Sequence, residues 1–158
     1  DKLGESAYRI VHSGQSTGFK GVITKQVNEK DYKTRAVATE FMKQNKMVDL
    51  DQKNLLIRRN EQSLDFTLKA LSRLFIICPG GADVREKLFE FLTEVDIKEH
   101  DKPLILWNYN GCFDQLLIWL DHLYERGYMN ERALNKVSVL TTADEIFDLV
   151  EKKLAEEF

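Results

Sequence analysis

The stretch Leu74-Phe75-Ile76-Ile77-Cys78-Pro79-Gly80-Gly81-Ala82-Asp83-Val84-Arg85-Glu86-Lys87-Leu88 decides how this sequence folds. An apolar run, Leu74–Cys78, is stopped by Pro-Gly-Gly. Apolar residues then recur at helical spacing at Val84, Leu88, Phe91 or Leu92, and Val95. A short apolar run bounded by breakers reads as a buried strand, and the later spacing reads as an amphipathic helix. The chain therefore passes from strand to helix through a tight glycine turn.

The same grammar extends in both directions. Tyr8–His12 and Leu104–Trp107 are strands of the same kind, and Ala36–Thr39, Leu55–Ile57 and Val137–Leu140 are weaker ones. Leu64, Leu68 and Leu71 form one helical stripe, and Phe113, Leu116, Leu117, Leu120 and Leu123 form another. A final helix starts at Thr142, whose spacing to Glu145 is a capping box, and it presents Ile146, Leu149, Val150 and Leu154. Strands alternating with helices imply βαβ units and a parallel sheet covered on both faces. The expectation is a single doubly wound α/β domain over residues 1–158, with no internal repeat or linker.

Composition narrows the function classes. The chain has 158 residues, 43% hydrophobic and 31% charged, which suits one globular domain rather than a disordered segment. No apolar run is long enough for a membrane helix. Formal net charge is −3, so no bulk attraction to nucleic acid is expected. Residues 1–60 hold twelve Lys/Arg against seven Asp/Glu, leaving eleven against nineteen in the remainder. That asymmetry reads as a mixed solvated surface or as a basic patch. Cys78 and Cys112 stand alone, and His12, His100 and His122 share no metal-ligand spacing, so neither disulfide, metal nor cofactor is expected. With no signal peptide, the expected location is cytoplasmic. The chain starts at Asp1 rather than Met, which leaves a fragment, a processed form or a removed leader open.

The breakers point to a site. Gly14, Gly18 and Gly21 follow the first strand, and Pro79, Gly80 and Gly81 follow the Leu74–Cys78 strand. Five of eight glycines and one of two prolines thus fall at two strand ends, where open α/β sheets bind ligands. Glycine there exposes backbone N–H groups, and a helix N-terminus adds partial positive charge. The candidate phosphate-binding residues are Gly14, Ser16, Thr17, Gly18, Gly80, Gly81, Ala82, Asp83 and Lys87. Tight βα turns need glycine anyway, so the alternative is purely structural. His12 ends its strand beside the first of these loops.

Pro79-Gly80-Gly81-Ala82-Asp83-Val84-Arg85-Glu86-Lys87, then His100-Asp101-Lys102-Pro103 before a strand, then Asn110-Gly111-Cys112-Phe113-Asp114, Leu120-Asp121-His122 and Glu125-Arg126-Gly127-Tyr128 follow a recognisable order. In these motifs the sequence resembles the LOG ("lonely guy") family of nucleotide phosphoribohydrolases, often labelled lysine decarboxylase-like. The resemblance spans roughly residues 8–155, and the Gly14–Gly21 loop is similar to the family's first glycine-rich loop. It implies a Rossmann-like three-layer α/β/α fold, a nucleoside monophosphate or phosphosugar ligand, and a homodimer with the Leu64–Leu71 helix near its interface. The family's first strand and most of its first helix have no counterpart here.

The resemblance also implies chemistry that this sequence departs from. The family hydrolyses the N-glycosidic bond of nucleoside 5′-monophosphates using the glutamate that ends PGGxGTxxE and an arginine about fifteen residues before the proline. An oxocarbenium-like transition state needs such a carboxylate. Here the glutamate position is Lys87 and the arginine position is Leu64, while the loop's glycine and threonine are Asp83 and Val84. Arg58 and Arg59 lie upstream and reach the arginine position only with a shift. Glu86 and Glu90 are the candidate relocated acids, each otherwise a solvated helix charge. Lys87 stands four residues after Asp83, a spacing that pairs them or leaves the lysine for an anion. Three functional expectations follow: a pseudoenzyme retaining the pocket, an active phosphoribohydrolase with moved catalytic groups, or a structural subunit of a larger complex.

Overall fold

The structure is a computed structural model and describes residues 8–30, 32–52 and 54–155. Its backbone contacts divide between Ser72 and Arg73 into two compact units.

The N-terminal unit runs β1 (Ile10–Ser13), α1 (Gly18–Glu29), β2 (Thr34–Thr39), α2 (Glu40–Gln44), β3 (Leu55–Arg58) and α3 (Glu61–Leu71). Its strands lie in the order β1-β2-β3, all parallel, with Val11 opposite Arg35 and Ala36 opposite Leu55. β2 is central and its Ala36, Val37 and Ala38 are fully buried, as a middle strand covered on both faces requires. Val37, Ala38, Met42, Val48 and Leu64 form the core. α3 starts at a reciprocal cap: Ser63 N–H donates to Asn60 Oδ1 at 3.0 Å, and Asn60 N–H donates to Ser63 Oγ at 3.2 Å. Its expected stripe is buried at Leu64 and half-buried at Leu68. Leu71, in the helix's last turn, is 45% exposed.

The C-terminal unit runs β4 (Phe75–Ile77), α4 (Ala82–Asp96), β5 (Leu104–Trp107), a 3-10 turn (Tyr109–Gly111), α5 (Asp114–Glu125), α6 (Glu131–Leu134), β6 (Val137–Leu140) and α7 (Ala143–Ala155). The order is β4-β5-β6, again all parallel. Leu88, Phe91, Leu92 and Val95 of α4 pack with Leu104 and Leu106 of β5, and Phe113 and Leu120 close the cluster. The expected capping box opens α7: Thr142 N–H donates to Glu145 Oε2 at 2.9 Å, and Glu145 N–H donates to Thr142 Oγ1 at 3.3 Å.

All six expected strands form, Leu104–Trp107 and Val137–Leu140 at the expected bounds. Every pairing between the six strands is parallel, an isolated antiparallel bridge of Gln15 with Val48 aside, and strands alternate with helices, the construction of a Rossmann-like three-layer α/β/α fold. Helices α1, α2 and α6 go beyond the sequence reading. In each unit, parallel strands bring their carboxyl ends to one edge, and that edge carries the glycine loops.

Candidate functional site

In the N-terminal unit the edge loop is Gly14–Thr17. Much of its hydrogen-bonding capacity is spent on the protein. Gly14 N–H donates to Val37 O at 3.1 Å, Gln15 N–H to Ser13 O at 2.7 Å, and Ser16 N–H to Met47 O at 2.9 Å. The Ser16 hydroxyl also donates to Met47 O, at 3.1 Å, and Gln52 Nε2 donates to Gly14 O at 3.2 Å. The segment around Met47–Gln52 therefore straps the loop down. Gly14 is buried, whereas Ser16, Thr17 and Gly18 are exposed. Thr17 precedes α1 without a side-chain cap hydrogen bond. Gln52 Oε1 is buried with no hydrogen-bond partner among the described residues.

His12 lies within β1, beside the loop. The Thr24 hydroxyl gives its one proton to Gln15 O, so its oxygen accepts from His12 Nδ1 at 3.4 Å, as Ser13 O does at 3.3 Å. Both acceptors put a proton on Nδ1. Burial holds the imidazole below its ordinary value of 6.5, against a smaller opposing pull from the Ser13 carbonyl. The unfolded chain takes up this proton as pH falls through about 6.5, before the folded one does. The stabilising contribution is thus complete above that value and is lost as pH falls towards the lowered folded value. Denaturant melts at about pH 7.5 and about pH 5.5 should show a larger loss for the wild type than for His12→Gln.

Arg58 ends β3 and reaches α3, where its Nε donates to Thr67 Oγ1 at 2.7 Å. Leu64 is 4% exposed and belongs to the core with Val37, Ala38, Met42 and Val48.

In the C-terminal unit, Gly80, Gly81, Ala82 and Asp83 are all exposed between β4 and α4. Gly81 is the N-cap and provides no side-chain cap. A Cβ on Gly80 would collide with Val84 Cγ2, so a side chain there would displace Val84. A Cβ added to Gly81 would lie 3.5 Å from Asp83 Oδ1, which places that carboxylate at the mouth of the helix. An acid there complements the helix dipole. Lys87 Nζ lies 3.1 Å from Glu90 Oε2, so the lysine and one candidate acid form an i,i+3 pair, both about one-third exposed. Glu86 is exposed.

The next loop is held by Asn108, which is buried. Its Oδ1 accepts Phe113 N–H at 2.8 Å and its Nδ2 donates to Asp114 Oδ1 at 2.6 Å. Trp107 Nε1 donates to Thr141 O at 3.1 Å, and Tyr109 stands edge-on to the Trp107 ring, 53% exposed. Trp119 packs edge-on against Phe89. Burial pushes the Cys78 thiol up to about 11, which makes it a poor nucleophile, while Cys112 is exposed. His100 accepts Lys102 N–H at Nδ1 and faces Glu94 through Nε2 at 3.3 Å.

Sequence reasoning missed Arg85. Its guanidinium donates to Gly80 O, Gly81 O and Cys112 O at 2.7, 3.1 and 3.5 Å. One signal was available: a cation near the positive end of a helix needs compensation from elsewhere. Among the described residues no cluster of three or more His, Cys, Asp or Glu is placed to hold a metal ion. Nor is any helix among them long and apolar enough to cross a membrane.

An α/β chain with a strand–Pro-Gly-Gly–helix turn at a parallel sheet edge defines the class. The sequence model of a family described as possible lysine decarboxylase matches residues 5–150, and the chain belongs to that family, the LOG family. It is 24% identical over 154 residues to a probable cytokinin riboside 5′-monophosphate phosphoribohydrolase of Arabidopsis thaliana, covering 90% of this chain and 71% of the relative. It is 24% identical over 133 residues to the cytokinin riboside 5′-monophosphate phosphoribohydrolase of Mycobacterium tuberculosis, covering 84% and 71%. A shorter match, 33% over 81 residues, is to a probable enzyme of that name from Oryza sativa, covering 51% and 38%.

Proposed function

We propose that this chain is a divergent LOG-family protein that binds a nucleoside 5′-monophosphate or phosphosugar without cleaving its N-glycosidic bond. The observation that carries the reading is the state of the two catalytic positions. One is Leu64, sealed in an apolar core, and the other is Lys87, engaged by Glu90. An ammonium group repels the positive charge that develops on the sugar, where a carboxylate would stabilise it. Glu90 is partly neutralised by Lys87, which weakens it as a relocated acid.

Retention of binding is supported by the exposed Gly80, Gly81 and Ala82 at the N-terminus of a fifteen-residue helix, where the Gly81 and Ala82 N–H groups favour an anion. The relatives named above act, by their names, on cytokinin riboside 5′-monophosphates, which supports this ligand class. The assembly belonging to this reading is a homodimer, supported by the exposed Phe66 and Leu71 on α3 (73% and 45%).

The test is incubation with AMP, GMP, CMP and UMP, followed by chromatography for free base. No base above the protein-free blank is expected. Sustained release of any base would overturn the pseudoenzyme reading in favour of relocated acids.

A further inference from the structure

Arg85 sits in the second turn of α4, close to the positive end of the helix dipole, where a cation is disfavoured. Three backbone carbonyls and an aromatic face compensate it. Nη1 donates to Gly80 O at 2.7 Å and Gly81 O at 3.1 Å, and Nη2 donates to Cys112 O at 3.5 Å. The guanidinium carbon lies 5.4 Å from the centroid of Phe113, a fully buried ring. Gly80 and Gly81 follow β4, while Cys112 and Phe113 follow β5, its neighbour in the sheet. One side chain thus ties together the loops after two adjacent strands.

Peptide geometry gives this bridge a consequence. In a planar trans peptide, the carbonyl and the next residue's N–H point in opposite directions. The Gly80 carbonyl shares its peptide with the Gly81 N–H, and the Gly81 carbonyl shares its peptide with the Ala82 N–H. The Gly81 carbonyl also accepts the Arg85 main-chain N–H at 3.4 Å, so helix and guanidinium together turn both N–H groups away from Nη1. Among the described residues neither N–H has a hydrogen-bond partner.

We infer that Arg85 is a positioning residue that fixes the Gly81 and Ala82 N–H groups as a preformed pair of donors for the phosphate of the ligand, with the β5–α5 loop locked alongside. The inference rests on the phosphate-binding reading above and deepens it by naming what sets the donors. Arg85 acts through the backbone, with its own hydrogen bonds already directed to carbonyls. Preorganised donors lose little freedom when an oxyanion arrives, and a loosened turn has to be ordered by the ligand.

Arg85→Lys keeps the charge and loses the fork that spans three carbonyls, and Arg85→Gln removes the charge as well. Calorimetric titration with ribose 5-phosphate should give about tenfold weaker binding in both variants, with both remaining folded by circular dichroism. Amide NMR of the wild-type protein should show the Gly81 and Ala82 resonances moving on titration, with much smaller shifts in Arg85→Lys. Wild-type binding with unchanged affinity in Arg85→Lys would overturn the positioning role and leave the phosphate reading standing. Binding that leaves both wild-type amides unmoved would do the same. No binding of ribose 5-phosphate by the wild type would overturn both.

Discussion

Leu64→Arg, which puts a guanidinium in place of a buried leucine, should unfold the N-terminal unit. Leu64 is 4% exposed and packs among Val37, Ala38, Met42 and Val48, with Val11, Leu55, Leu56, Ile57 and Leu68 around them. Losing a buried leucine side chain costs about 2–5 kcal/mol by itself. Placing a guanidinium there adds the cost of burying a charge among apolar side chains. Together these approach the whole stability of a domain, about 5–15 kcal/mol. Far-ultraviolet circular dichroism and limited proteolysis should report loss of structure, with cleavage concentrated before Ser72. A folded Leu64→Arg protein of wild-type melting temperature would show that the side chain can leave the core. The assignment of position 64 to packing would then be wrong.

Gly21→Ala should destabilise the protein even though Gly21 lies inside α1. An exposed helix interior gains about 1 kcal/mol when glycine becomes alanine. At this site, however, the new methyl would run into the backbone carbonyl of Ser16, both its carbon and its oxygen. A rotating side chain cannot relieve that clash, because the obstacle is main chain. The Ser16 N–H and hydroxyl are meanwhile tied to Met47 O, so the loop cannot easily retreat. Overpacking of this kind typically costs about 1–3 kcal/mol or more, which cancels or exceeds the propensity gain. A fall in Tm of several degrees is expected. A rise in Tm would mean that the loop is free to move, and that Gly21 is there for another reason.

Gly21 also shows where sequence reading reached its limit. The cluster Gly14, Gly18 and Gly21 marked an unusual backbone, and the loop is indeed there. Its purpose was not legible, because the groups that occupy it come from far along the chain. Gln52 reaches Gly14 from 38 residues away, and Met47 reaches Ser16 from 31. The strands were legible because runs such as Leu104–Trp107 are apolar and end in breakers. α1 was not, for a physical reason. It carries two glycines and buries only Thr24 and Val27, leaving Val22 exposed, so it presents almost no apolar stripe. At the second loop the Pro79–Gly81 turn could be read directly. The Lys87–Glu90 pair was one of several local options, and the Arg85 bridge depends on a carbonyl 27 residues distant.

Phosphate binding without hydrolysis, as proposed, has two halves that one measurement reaches together. The protein is titrated with AMP in a thermal-shift assay until Tm no longer rises, then held at that concentration, and the solution is analysed for free adenine. Saturable stabilisation by several degrees, with AMP recovered intact, is the predicted result. Free adenine accumulating with time, or a Tm indifferent to AMP and to ribose 5-phosphate alike, would contradict it.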